Sequence, residues 1–135
     1  MPWFDDTIGA FGSQLGLRAL TPPREGVLQL AFESGELLSL EAVAGRDTPQ
    51  ALVFMERPVR HTPEAVARGA LVRAHLIHGD VCPVQVALRQ SAHDWRLIAL
   101  VRIPRQQFTV DRLAHSVELL RRWLDEALRS VSSHA

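Results

Sequence analysis

The sequence predicts an α+β fold: one domain over residues 1–135, an antiparallel sheet packed against helices, and the order α-β-β-β-α-β-β-α. A stretch in which the period changes to two, Gly26–Arg57, and two further runs, Pro83–Gln90 and Trp95–Arg102, mark the strands. Three stretches of period 3.6, each bounded by turn or capping residues, mark the helices. At 135 residues and 15.0 kDa, with 47% hydrophobic and 22% charged residues, the chain is long and apolar enough to bury one core without disulfides.

The first helix is expected over about residues 5 to 17. Asp5, Asp6 and Thr7 supply acidic and capping groups, and Ile8, Phe11 and Leu15 share a face. Gly9, Gly12 and Gly16 each weaken a helix by about 1 kcal/mol relative to alanine, so this one depends on docking. Thr21-Pro22-Pro23 then sets an extended connection.

Leu28, Leu30 and Phe32 alternate with Val27, Gln29 and Ala31 up to a turn at Ser34-Gly35. Glu36–Val43 returns as a second strand, residues 44–49 form a loop, and Gln50–Arg57 is the third. Thr62-Pro63-Glu64 starts the middle helix, with threonine at the cap and proline in the first turn. It runs to about Ile77 before His78-Gly79 stops it. This helix carries two apolar faces: Val66, Ala70 and Ile77 on one, and Ala65, Gly69, Val72 and Leu76 on the other. Two faces imply two partners.

Pro83–Gln90 and Trp95–Arg102 are strands four and five. Thr109 caps a last helix ending near Val131, with Leu113, Val117, Leu120, Leu124 and Leu128 inward. Glu118 with Arg122, and Asp125 with Arg129, are spaced as four-apart ion pairs on its outer side.

Composition excludes whole chemistries. All fifteen basic residues are arginine, and lysine, tyrosine and asparagine are absent, a bias that GC-rich bacterial codon usage produces. Without a lysine ε-amine there is no Walker A loop and no Schiff-base anchor. Net charge is zero, so nothing favours nucleic acid or an anionic membrane surface. The first residues, Met1–Asp6, lack a basic region followed by an apolar run, and no stretch approaches the ~20 apolar residues of a membrane helix. Cytoplasmic localisation is expected.

Candidate chemistry is sparse. His75, His78, Cys82 and His93 are the residues from which a metal site or a thiol–histidine pair could be assembled, but His75-x-x-His78 is a helical near-neighbour pair and Cys82 precedes Pro83. Helix-end interactions and a half-buried thiol explain them more simply. Arg57, Arg60, Arg68 and Arg73 gather around the start of the middle helix, where solvated charge is the expectation. Trp3, Trp95 and Trp123 read as core or interface anchors. No catalytic residue, metal or cofactor is assigned, and the chain is not read as an enzyme.

The overall layout resembles the class I type III secretion chaperones, the Tir-chaperone (CesT-type) family. Phe11-Gly12-Ser13-Gln14-Leu15-Gly16-Leu17 is similar to that family's opening helix, and Gly69-Ala70-Leu71-Val72-Arg73-Ala74-His75-Leu76 to its middle helix. Pro104–Leu128, entered through Phe108-Thr109-Val110-Asp111-Arg112-Leu113, is similar to its ending. The resemblance implies a bacterial cytoplasmic homodimer that holds the N-terminal chaperone-binding segment of an effector extended and secretion-competent, without ATP. Family members are usually acidic, whereas this chain has a pI near 7.0.

On that reading the effector-binding surface is expected to comprise Ile8, Phe11, Leu15, Leu28, Leu30 and Phe32, unless these residues fill the monomer core. The dimer interface is expected at Ala65, Gly69, Val72 and Leu76, where small residues let two helices approach. The alternatives are another α+β protein-binding or assembly module, or a small metal- or cysteine-dependent enzyme built on His75, His78, Cys82 and His93.

Overall fold

The computed structural model describes residues 2–17, 27–45, 47–60, 63–76, 84–92 and 94–132. Its elements are α1 (Pro2–Gln14), β1 (Leu28–Ala31), β2 (Leu37–Val43), β3 (Gln50–Val59), α2 (Pro63–Leu76), β4 (Gln85–Gln90), β5 (Trp95–Pro104), a short 3-10 turn (Arg105–Gln107) and α3 (Val110–Ser132). The predicted order is the observed one. All strands join one antiparallel sheet in the order β1-β2-β3-β5-β4.

The chain makes a tight return between β1 and β2. Phe32 N donates to Glu36 O at 2.9 Å and Gly35 N to Phe32 O at 3.0 Å, with Gly35 at φ +88°. A Cβ-bearing residue rarely adopts that angle, which explains a glycine there. β3 and β5 are the long strands, ten residues each, and pair along their whole length. Pro58 is accommodated inside β3 because β2 begins pairing only at Glu56, leaving the strand without a second neighbour at that point.

Strand alternation divides the sheet into two faces. Leu38 and Leu40 of β2, Ala51, Val53 and Met55 of β3, and Leu97, Ala99, Val101 and Ile103 of β5 point to one side and are essentially inaccessible. The helices cover that side: α3 packs on β3 and β5, α1 on α3, and α2 on α3 and β4. Leu113, Leu120 and Leu124 of α3 are fully buried, Val117 nearly so, and Leu128 packs at the margin, as their spacing predicts. Thr109 acts as the α3 cap, its Oγ1 accepting from Arg112 N at 3.1 Å.

Three local expectations need correction. α1 begins at Pro2, so Asp5, Asp6 and Thr7 lie within the helix rather than capping it. Proline is favourable in a first turn, and the aromatic cluster beyond it holds the start: Phe4 stacks on Phe108 at 5.6 Å, and Trp3 meets both rings edge-on. Glu118 pairs with Arg121, three residues on, and Asp125 with Arg57 of β3, in place of Arg122 and Arg129. Arg57 itself is mostly covered, its side chain 16% exposed, because it turns under α3 toward Glu36 and Asp125. The helix stop at His78-Gly79 and the cap at Thr62 lie outside the described residues.

Candidate functional site

The side of the sheet opposite the helices carries the site. On this open face the register aligns Glu41, Leu52 and Arg102 in one row, Ser39, Phe54, Leu100 and Gln85 in the next, and Leu37, Glu56, Ile98 and Ala87 in a third. Leu52, Phe54, Ile98 and Leu100 are half-buried, although among the described residues no helix packs over them. Together with Glu41, Gln85, Ala87 and Val86 they line a groove of about 300 Å³. That volume is at the small end of ligand sites and suits one or two apolar side chains.

The local sequence explains the groove. In most antiparallel sheets with one solvated side, the outward positions are polar. Here β3 and β5 are apolar at both alternating sets: Leu52 and Phe54 outward with Val53 and Met55 inward, and Ile98 and Leu100 outward with Leu97 and Ala99 inward. Their outward residues are therefore an apolar band at the middle of the exposed side.

Charges border the band unequally. Glu56, only 2% exposed, accepts from Arg89 Nη2 of β4 and lies 3.7 Å from Arg96 Nε. Arg96 is anchored in turn by an Nη2 donation to Gly35 O at 2.8 Å. That end is closed and neutralised. Arg102 Nε donates to Gln85 Oε1 at 3.1 Å, forming a polar wall beside the groove. Glu41 lines the opposite side and, among the described residues, has neither an ion-pair nor a hydrogen-bond partner for its carboxylate.

The residues expected to contact an effector occupy different settings. Ile8 (0% exposed), Phe11 (3%) and Leu28 (8%) are part of the hydrophobic core, while Leu30 and Phe32 are half-buried against it. Leu15 is 47% exposed beyond the end of α1. The structure thus brings Leu28 and Leu30 to the helix-covered side of the sheet, facing away from the groove. The Arg121 guanidinium lies 5.6 Å from the Phe32 ring centroid.

On α2, Ala65 is exposed, Gly69 half-buried and Val72 52% exposed, with Leu71 beside it at 62%; Val66 and Ala70 face the core. Among the described residues, one of the two apolar faces is therefore largely exposed in the single chain. The Leu76 side chain lies outside the described residues. So do the side chain of His75 and all of His78, Cys82 and His93. Among the described residues no group of three or more histidine, cysteine or acidic side chains is placed to hold a metal, and no helix is long and apolar enough to cross a membrane.

Sequence reasoning missed the groove. Its signal was present as the unbroken apolar run in β3, Ala51–Met55, and the matching run in β5, Leu97–Val101. Such runs ordinarily indicate strands covered on both faces.

No protein-family model matches the chain, and no curated protein sequence matches it. Among solved structures the fold is similar to a chain in the structure of the HopA1–SchA chaperone–effector complex, with a TM-score of 0.69 and 16% identity over 95% of this chain and 94% of that one. It is also similar to YbjN from E. coli, a candidate transcription regulator, with a TM-score of 0.56 and 17% identity over 96% of this chain and 91% of that one. At these identities the likeness establishes a shared fold: three helices on one side of a five-stranded antiparallel sheet, with nearly the whole chain taking part.

Proposed function

We propose that this protein is a type III secretion chaperone that binds the N-terminal chaperone-binding segment of an effector in extended form and keeps it soluble and secretion-competent without ATP. The observation that carries the reading is the near full-length likeness of its fold to a chain in a chaperone–effector complex. An uncovered apolar band on an antiparallel sheet agrees with it, because an extended guest supplies alternating side chains at the same spacing. The proposed client surface includes Leu15, Leu30 and Phe32, with Ile8, Phe11 and Leu28 reached when α1 lifts. The protein acts in the bacterial cytoplasm as a homodimer formed through Ala65, Gly69, Val72 and Leu76 of α2. The reading requires no catalytic step and no cofactor.

The test is a tagged pull-down from the native bacterium combined with light scattering on the free protein and on the eluted complex. The expected result is a free mass twice that of the chain and a larger secreted protein retained through its N-terminal region. Hydrogen exchange on the retained protein then separates a chaperone client, unprotected outside its bound stretch, from a folded partner protected throughout. The folded-partner outcome would favour a second reading, an α+β binding module of another kind, which the likeness to YbjN keeps in view. A monomer that returns alone would overturn the chaperone reading.

A further inference from the structure

We infer that the open-face groove selects a basic residue in the extended segment it binds, with Glu41 as the selecting group. The inference rests on the chaperone reading for the kind of guest and on the groove for its chemistry. Two carboxylates stand on this face. Glu56 is enclosed and neutralised by Arg89 and Arg96, so it offers nothing to a guest. Glu41 lines the same groove with its carboxylate unpartnered among the described residues.

Placing an apolar segment against Leu52, Phe54, Ile98 and Leu100 would displace water from around Glu41. A carboxylate that loses water without gaining a partner disfavours the complex, whereas one that meets an arginine or lysine gains a charge-assisted hydrogen bond. Arg102 hydrogen-bonds the neutral Gln85 and keeps its charge, but it stands outside the groove lining and across β3 from Glu41, so Glu41 is the charged group that lines the groove. The preferred occupant is therefore an extended stretch with apolar side chains at alternate positions and a basic side chain beside them. An acidic residue at that place meets Glu41 as a like charge and is rejected, which gives the groove selectivity among apolar segments.

The probes are fluorescein-labelled nine-residue peptides of alternating valine and serine, carrying arginine, glutamine or glutamate at one fixed position and read by fluorescence anisotropy. Wild-type protein is expected to bind the arginine peptide about three- to tenfold more tightly than the glutamate peptide. Glu41→Arg should reverse that ranking, Glu41→Gln should flatten it, and Leu100→Asp should reduce binding of all three. Circular dichroism verifies that each variant is folded.

Binding with no charge ranking, or a ranking that Glu41→Arg leaves unchanged, overturns the inference. Binding that Leu100→Asp does not weaken also overturns it by putting the guest elsewhere, and leaves the chaperone reading standing. If the free protein is a dimer that Leu100→Asp converts to monomer, a second copy fills the groove and the inference fails. If no peptide binds and the pull-down returns no client, both the inference and the chaperone reading fail.

Discussion

Arg57 Nε on β3 donates to Glu36 Oε2 at 3.2 Å, tying the residue after the β1–β2 turn to the middle strand beneath α3. Arg57 also bonds Asp125 and donates from Nη2 to Arg121 O at 3.2 Å, while Arg121 Nε donates to Glu36 Oε1 at 3.3 Å. Glu36 is 6% exposed, so both arginines converge on one nearly buried carboxylate. Removing it leaves Arg57 covered but with Asp125 still present. Glu36→Ala is therefore expected to destabilise the fold by about 2–3 kcal/mol, below the full cost of a broken buried pair. Urea denaturation measures this; a loss below about 0.5 kcal/mol would show that the network contributes nothing net.

Two glycines make opposite predictions. A Cβ at Gly9 of α1 meets nothing within 4 Å, so Gly9→Ala should stabilise by about 1 kcal/mol through helix propensity. At Gly45 the φ is +70° and a Cβ would fall 2.1 Å from Thr48 O, so Gly45→Ala should destabilise. Thermal unfolding of the two variants should move the midpoint in opposite directions, upward by roughly 3–5 °C for Gly9→Ala.

Ile8 is fully buried where α1 joins the core. Ile8→Ala should cost about 2–4 kcal/mol, since the cavity adds to the lost transfer energy. Amide exchange should quicken mainly in α1, whose glycines leave it little stability of its own. Uniform acceleration across the sheet would show instead that α1 unfolds only with the rest.

Val72 lies on the uncovered side of α2, so Val72→Arg should leave the stability of the single chain nearly unchanged. If the proposed homodimer forms through that side, light scattering should show the mass halved, because an unpaired charge would be buried between two copies. An unchanged dimer mass would remove α2 from the interface.

Much of the architecture was legible in the chain. Leu113, Leu120 and Leu124 announced the buried face of α3, Thr109 its cap, and Ser34-Gly35 the β1–β2 turn, because each depends on residues within a few positions of one another. The start of the chain's first helix is less legible, because Trp3 and Phe4 are held by Phe108, more than a hundred residues away. The expected client residues show the same limit: alternation at Leu28, Leu30 and Phe32 identifies a strand without saying which side the helices will cover.

The sequence by itself determined the number and order of helices and strands, and the absence of lysine chemistry, through local periodicity and composition. Tertiary structure alone decided that β5 lies between β3 and β4, and that Leu52, Phe54, Ile98 and Leu100 form one half-buried band on the side away from the described helices. It also decided that Glu56 is neutralised while Glu41 has no partner among the described residues. The physical reason is range: a helix or a turn is specified by neighbours along the chain, whereas strand order, sheet facing and charge pairing depend on side chains brought together only when the whole sheet forms.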